Sequence, residues 1–374
     1  MGLPNINITF RTLASTVISR SKKGVVALIV KDDGVTAGGV SLTNAEQIPS
    51  GLSAANKAYV EQAFIGYTEK PRKVLLYALA AAAADLSEAL AWLATQSFDY
   101  LAGPPEITAS ESAAVKTWLL ARRAEGAIPK AVLPDLAADC EAAVNFTTDG
   151  IKVGASTYDA PEYCARIAGL LAGTPMTISA TYAPLSEVED ITRLSREEMD
   201  TAIDAGKLIL YHDGEKVKIA RAVNSLTTVS AAKGASFKKI KIVEAVDMIQ
   251  SDLRKACQDN YIGKLANGYD NKCLLITAVS DYLRQLERDG VLEAGASAVS
   301  VDTAAQESYL VSQGVDTSVM TEQEIKQANT AERVFLAAAV KILDAIEDID
   351  LKDLVILSPG NCMRDQIIEL CQAR

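Results

Sequence analysis

Both ends of the chain carry strand patterns with no partner evident nearby in sequence, and a strand cannot satisfy its backbone alone. Residues 5–11 alternate without a break: Ile6, Ile8 and Phe10 share one face, and Asn5, Asn7, Thr9 and Arg11 the other. Toward the other end, Val334-Phe335-Leu336 leads into Val340-Lys341-Ile342-Leu343. An acidic connection follows, and then a third run at residues 351–357 that contains Leu351, Leu354 and Ile356. A period-two segment at an extreme end joins a sheet edge or frays. If it joins a neighbouring molecule's sheet, the chain is built to polymerise. If it joins its own, it is an ordinary terminal strand.

Length asks for more than one core, since 374 residues exceed what a single hydrophobic core usually organises. The balance of 37 basic to 48 acidic residues, net −11, comes without a basic block. Phosphate or groove binding is therefore disfavoured, and direct nucleic-acid contact is not expected. The longest apolar stretch, residues 74–94, is broken by Asp85 and Glu88 and is mostly alanine, so it reads as strand plus buried helix and no direct membrane contact is expected. Met1-Gly2-Leu3-Pro4 does not open a secretory signal. Cys140, Cys164, Cys257, Cys273, Cys362 and Cys371 are too scattered for a ligand pair, and free thiols made in a reducing cytoplasm are expected.

Along the chain, apolar runs at residues 24–30, 73–79, 100–102 and 129–133 alternate with helical patterns at 53–64, 85–96 and 111–125. That βαβα rhythm predicts a mostly parallel sheet covered by helices. A helix at 162–171 and a strand at 176–180 continue it. Ser195-Arg196-Glu197-Glu198 is a capping box that opens a helix. Asp213-Gly214-Glu215 between two strand-like runs predicts a hairpin. From Phe237 the pattern changes to long helices, at 241–258 with Ile242, Ala245, Ile249 and Leu253 along one stripe and at 274–289. Residues 294–301 read as connection or strand, 303–312 as helix, and Thr321-Glu322-Gln323-Glu324 caps another short helix. The linker-like segment 231–236 marks the expected boundary.

In this order the segments resemble the tail sheath proteins of contractile phage tails, most closely the shorter type of prophages and tail-like bacteriocins of Gram-positive bacteria. Three stretches carry the resemblance: residues 2–10, the region 237–255, and Gln327-Ala328-Asn329-Thr330-Ala331-Glu332-Arg333-Val334-Phe335-Leu336 with the following residues 343–349. The resemblance implies an α/β plus α+β fold. Residues 1–24 would be an N-terminal exchange strand and hinge, 25–230 an outer α/β domain with a mostly parallel sheet, 237–343 an inner C-terminal α+β domain, and 344–374 a C-terminal exchange arm and extension. It implies strand exchange between subunits through Ile6, Ile8, Phe10, Val334, Leu336, Val340, Ile342, Leu351, Leu354 and Ile356, with Glu322 and Lys326 as tube-facing candidates. The expected partners are further copies of the chain in a helical homopolymer of hexameric rings, a tail tube protein, and baseplate and tail terminator proteins. The expected place is a virion tail or tail-like particle made in the bacterial host cytoplasm. The family usually ends near the last strand, so residues 358–374 depart from its pattern.

Two other readings were weighed. An α/β hydrolase needs a histidine base, and the chain has one, His212, on the expected hairpin beside Asp213-Gly214, without a Gly-x-Ser-x-Gly elbow. A small-ligand-binding protein would use the carboxyl ends of the sheet strands. Neither a phosphate loop nor a metal-ligand spacing supports it, and no cofactor is expected.

Overall fold

The computed structural model describes residues 18, 23–231 and 233–351. Ile6, Ile8, Phe10, Leu354 and Ile356 lie outside the described residues. The chain begins β1 (Val25–Lys31), β2 (Gly38–Leu42), α1 (Ala54–Ala63), β3 (Lys73–Leu79), α2 (Ser87–Leu93), β4 (Tyr100–Ala102), α3 (Ala109–Ala124), β5 (Lys130–Pro134) and β6 (Ala143–Phe146). A hairpin, β7 (Ile151–Val153) and β8 (Ser156–Tyr158), leads to α4 (Ala160–Ala172), α5 (Arg196–Asp204), β9 (Lys207–Leu208) and a second hairpin, β10 (Leu210–His212) with β11 (Val217–Ile219). The remainder is α6 (Ile240–Asn260), α7 (Tyr269–Arg288), β12 (Ala298–Val301), α8 (Thr303–Ser312), α9 (Glu322–Gln327) and β13 (Leu336–Ala339).

Seven strands form one sheet in the order β2-β3-β1-β4-β5-β6-β9. All its pairings are parallel except β2 with β3. The unbroken apolar sequence of β1 follows from burial on both faces. Val26, Leu28 and Val30 enter a core with Tyr59, Val60 and Ala63 of α1 and Tyr163 and Ile167 of α4. Val25, Ala27 and Ile29 enter another with Leu90 and Leu93 of α2 and Val115 and Leu119 of α3. α1 and α4 pack so closely that a Cβ on Gly169 would lie 2.1 Å from the Ala63 carbonyl oxygen, so the position requires glycine. Thr108, Asp159, Ser195 and Thr321 each open a helix with a reciprocal capping box to the glutamate three residues on.

Asp32 ties the turn that follows β1 to the start of α1. Its carboxylate accepts hydrogen bonds from the Gly34 and Ser53 amides (2.8 and 2.9 Å) and the Asn56 side-chain amide (2.8 Å). The Asn56 bond, then those amides, lower its pKa to about 2. A depressed carboxylate stabilises the fold above its unfolded pKa and loses that contribution as pH falls through the folded value. Acid titration of unfolding should therefore show about 1–2 kcal/mol lost between roughly pH 4 and 2, and Asp32→Asn should flatten that part of the curve.

A third core joins α6 and α7 through Ala245, Met248, Ala278, Val279, Tyr282, Leu283 and Leu286, and Ile18 packs into it. The described residues up to Asp344 form one compact unit that spans the linker-like segment at 231–236, and Ile240 of α6 lies in the core of the α/β body. A second unit begins at Ala345, and its described residues, 345–351, hold no helix or strand.

Two expected strands differ. Residues 176–180 form turns and bends, with the Ile178 amide bonded to the Pro175 carbonyl at 3.3 Å, and they join no strand. The run 334–343 is strand only at Leu336–Ala339. Val334 precedes it in an irregular segment, and Val340 follows it.

Candidate assembly interface

β12 and β13 form an antiparallel ribbon with Val301 opposite Leu336, Ser300 opposite Ala337, Val299 opposite Ala338 and Ala298 opposite Ala339. Among the described residues they pair only with each other, so each keeps one unpaired edge. Ile342 continues the contact by bridging to Leu292 and packing against the α6–α7 core. The Glu293 amide donates to the Lys341 carbonyl at 2.8 Å and the Leu343 amide to the Val291 carbonyl at 2.9 Å. Val334, Val340 and Leu343 remain about two-fifths exposed (42, 39 and 37 %). In the second unit Ile346, Ile349 and Leu351 are 88, 82 and 75 % exposed.

Of the residues expected to exchange strands, the structure therefore brings Leu336 and Ile342 to the ribbon and leaves Val334, Val340 and Leu351 open beside it in sequence. Glu322 and Lys326 of α9 form an ion pair at 2.6 Å, with Glu322 71 % exposed and Lys326 28 %. Their bond lowers the glutamate pKa and raises the lysine pKa.

A charged hub holds α6 against the amino ends of the parallel strands. Glu244 accepts from the Tyr100 hydroxyl and pairs with Lys23, whose ammonium also donates to the Leu171 and Thr174 carbonyls at 2.6 and 3.2 Å. Asp247 accepts from both terminal nitrogens of Arg123, at 2.8 and 3.0 Å, and faces Lys130 at 3.4 Å. Lys23 and Lys130 also stand over the Tyr100 ring, at 5.8 and 5.2 Å from its centre. Burial first, then the Glu244 charge, pushes the Tyr100 hydroxyl pKa well up, while burial lowers that of Lys23. Just beyond Lys23, the Gly24 and Val25 amides both donate to Asp99 at 2.8 Å. At the other end of this unit Lys239, which caps α6, pairs with Asp344 at 2.5 Å. Sequence reading missed the hub, although Glu244 and Asp247 stand among the buried residues of α6 and Ile240, Val243 and Met248 flank them. Acidic residues on an apolar face are the signal that would have revealed it.

The groups of the hub are paired with one another rather than presented to a substrate. The adjoining cleft, about 620 Å³, is lined by Lys23, Arg72, Asp99, Lys130, Glu244 and Asp247. It lies at the amino ends of β1, β4 and β5, opposite to where a ligand-binding reading of the sheet puts its site. His212 stands at the end of β10 with Nδ1 accepting from the Gly214 amide at 2.9 Å, a turn contact. Neighbouring Asp213 is engaged by Lys218 and by the Glu215 and Lys216 amides. Among the described residues no three His, Cys, Asp or Glu side chains converge as metal ligands, and no helix is long and apolar enough to cross a membrane.

Among the described residues, then, the buried charges of the α/β body are paired internally and the ribbon keeps two unpaired edges. The chain belongs to the phage tail sheath proteins. Residues 80–225 match the family model for the phage tail sheath protein central domain, and residues 232–352 the one for the phage tail sheath C-terminal domain. The tail sheath protein of Clostridium phage phiCD119 is 40 % identical over 357 residues, which are 94 % of this chain and 99 % of that one. The phage-like element PBSX protein XkdK of Bacillus subtilis is 27 % identical over 194 residues, half of this chain (50 %) and 41 % of its own. The fold matches the crystal structure of a sheath tail protein from Desulfitobacterium hafniense at a TM-score of 0.66 and 16 % identity, covering 80 % of this chain and 94 % of that one. It also matches the contracted helical sheath of the anti-feeding prophage at a TM-score of 0.69 and 15 % identity, covering 94 and 99 %. The chain is thus a structural sheath subunit and not an enzyme.

Proposed function

We propose that the chain assembles as stacked six-fold rings around a tail tube, in a virion tail or tail-like particle, and contracts to drive the tube through a cell envelope. The carrying observation is the β12–β13 ribbon with its unpaired edges, followed directly in sequence by the exposed Ile346, Ile349 and Leu351. Strands from neighbouring copies, led by Ile6, Ile8 and Phe10 and by residues 351–357 with Leu351, Leu354 and Ile356, would complete that ribbon. Each contact is then head-to-tail and propagates instead of closing. Ile18 packs in the α6–α7 core, against which Ile342 just after the ribbon also packs.

Work comes from the free-energy difference between two packings of one set of subunits. The body, stitched across 231–236 by the hub, moves as a rigid piece because packed cores resist deformation while interfaces can have two states. The change is absorbed in the arms. Because Lys23 and Gly24 are held by Glu244 and Asp99, the first hinge lies before Lys23, and the second lies in residues 345–350. Synthesis in the host cytoplasm and docking to baseplate and terminator proteins complete the reading.

Electron microscopy of the purified protein tests it: tubes or stacked rings are expected, and only discrete particles under all conditions would refute it. A finer expectation concerns α9. If its outer face meets the tube, Lys326→Glu removes the ion pair with Glu322 and should reduce co-assembly with tube protein severalfold while self-assembly persists. Unaltered co-assembly would make Glu322 and Lys326 an ordinary solvated helix pair.

A further inference from the structure

β13 has almost no side chains with which to choose its register. Leu336 is followed by Ala337, Ala338 and Ala339, all exposed, so a two-residue slip against β12 exchanges one methyl contact for another. Registers are specified by side-chain pattern and by turns, and weakly specified where the pattern is bland. Something outside the strand must set it.

The segment just before β13 is held unusually firmly by side chains from other elements. Lys272, at the start of α7 and 3 % exposed, reaches Gln306 Oε1 at 3.3 Å, the Ala328 carbonyl at 3.4 Å and Thr330 Oγ1 at 3.3 Å. Asn267 donates to Thr330 Oγ1 at 3.1 Å and to the Ala331 and Arg333 carbonyls at 2.7 and 2.8 Å. Thr330, fully buried, accepts those two and donates to the Arg333 carbonyl at 2.5 Å, which uses its hydroxyl completely. Gln306, also fully buried, turns its amide to the Ile325 and Lys326 carbonyls. Arg333 lies over the Tyr309 ring at 5.3 Å, and Tyr309 meets Phe335 at 5.4 Å between centres. Ala331 is locked in a left-handed conformation, φ 52°.

We propose that this cluster, led by Lys272 and Asn267, is the register-setting lock of the ribbon. It fixes residues 325–335 against α7 and α8, so that Leu336 must enter opposite Val301 and every later residue falls into place. The lysine brings a buried positive charge among neutral oxygens, and an apolar group in its place would leave the Gln306, Ala328 and Thr330 oxygens without this donor, at a cost in stability. Its further contribution is choice among registers. Lys272 and Asn267 are thus positioning residues for whatever strand joins the ribbon. The relevance to assembly rests on the proposed function, but the register itself is a property of the single chain.

The test uses Lys272→Met in the full-length monomer, with cysteine pairs as reporters of register. Val299→Cys with Ala338→Cys reports the observed pairing, and Val299→Cys with Val340→Cys or with Leu336→Cys reports slips of two residues. Disulfides are mapped by peptide mass spectrometry. With Lys272 present, only the 299–338 pair should form. With methionine there, some thermal stability should be lost and an off-register pair should rise from undetectable to a share comparable with the native one. Asn267→Ala, on a partly exposed residue, should give the same redistribution if the methionine variant fails to fold. Exclusive 299–338 pairing in both variants would overturn the proposal. Because no assembly is measured, that outcome would leave the sheath reading untouched.

Discussion

Asp247→Ala is expected to cost about 3–5 kcal/mol of stability, the usual penalty for stripping the partner from buried charges. Asp247 is the carboxylate facing both Arg123 and Lys130, and the three side chains are 2, 16 and 7 % exposed. Glu141 cannot replace it, since it stands 3.7 Å from Arg123 and is already paired with Lys233. Chemical denaturation would read the loss directly. Asp247→Asn, which keeps the shape and one acceptor, should fall between parent and alanine variant. If the alanine variant unfolds within about 1 kcal/mol of the parent, the hub contributes no more than surface ion pairs do.

Removal of residues 1–11 should abolish tube formation while leaving a soluble monomer with unchanged denaturation. The expectation follows from the proposed giving of Ile6, Ile8 and Phe10 to a neighbouring ribbon. Many modest strand contacts act together in such a mesh, so their loss is felt cooperatively. Normal tubes from the shortened chain would end the strand-exchange reading. A monomer that no longer folds would show that the segment belongs to its own core.

Much of the α/β body was legible because burial on both faces forces an unmistakable apolar run. β3 at Lys73–Leu79 and β4 at Tyr100–Ala102 fall where the sequence predicts them, and so does the β10–β11 hairpin around Asp213-Gly214. Capping boxes at Ser195 and Thr321 carried equal weight, since their chemistry is local. Strands with small or mixed residues were not legible. β2 opens with Gly38-Gly39, and the β7–β8 hairpin turns at Gly154 with three residues on each side. Residues 176–180 alternate convincingly but close into a turn at Pro175–Ile178, a local contact that the alternation does not report. The candidate interface was visible only as orphan strands. The buried Glu244 and Asp247 come from sequence positions 100 or more residues away from some of their partners, as with Glu244 and Tyr100, and Lys272 stands 34 to 58 residues from its own.

The attachment of Lys23 has a mechanical meaning. A pull transmitted along the backbone from residues before Ile18 would meet first the core beside α6 that holds Ile18, and then the ammonium held by Glu244 on α6 and by the Leu171 and Thr174 carbonyls at the end of α4. These bonds share tension side by side, and the neighbouring Gly24 and Val25 amides on Asp99 stand behind them. Load thus passes into two helices before it reaches the first residue of β1. A fibre of such subunits would stretch and tear at the joints between copies, with the sheet inside each copy shielded from the strain.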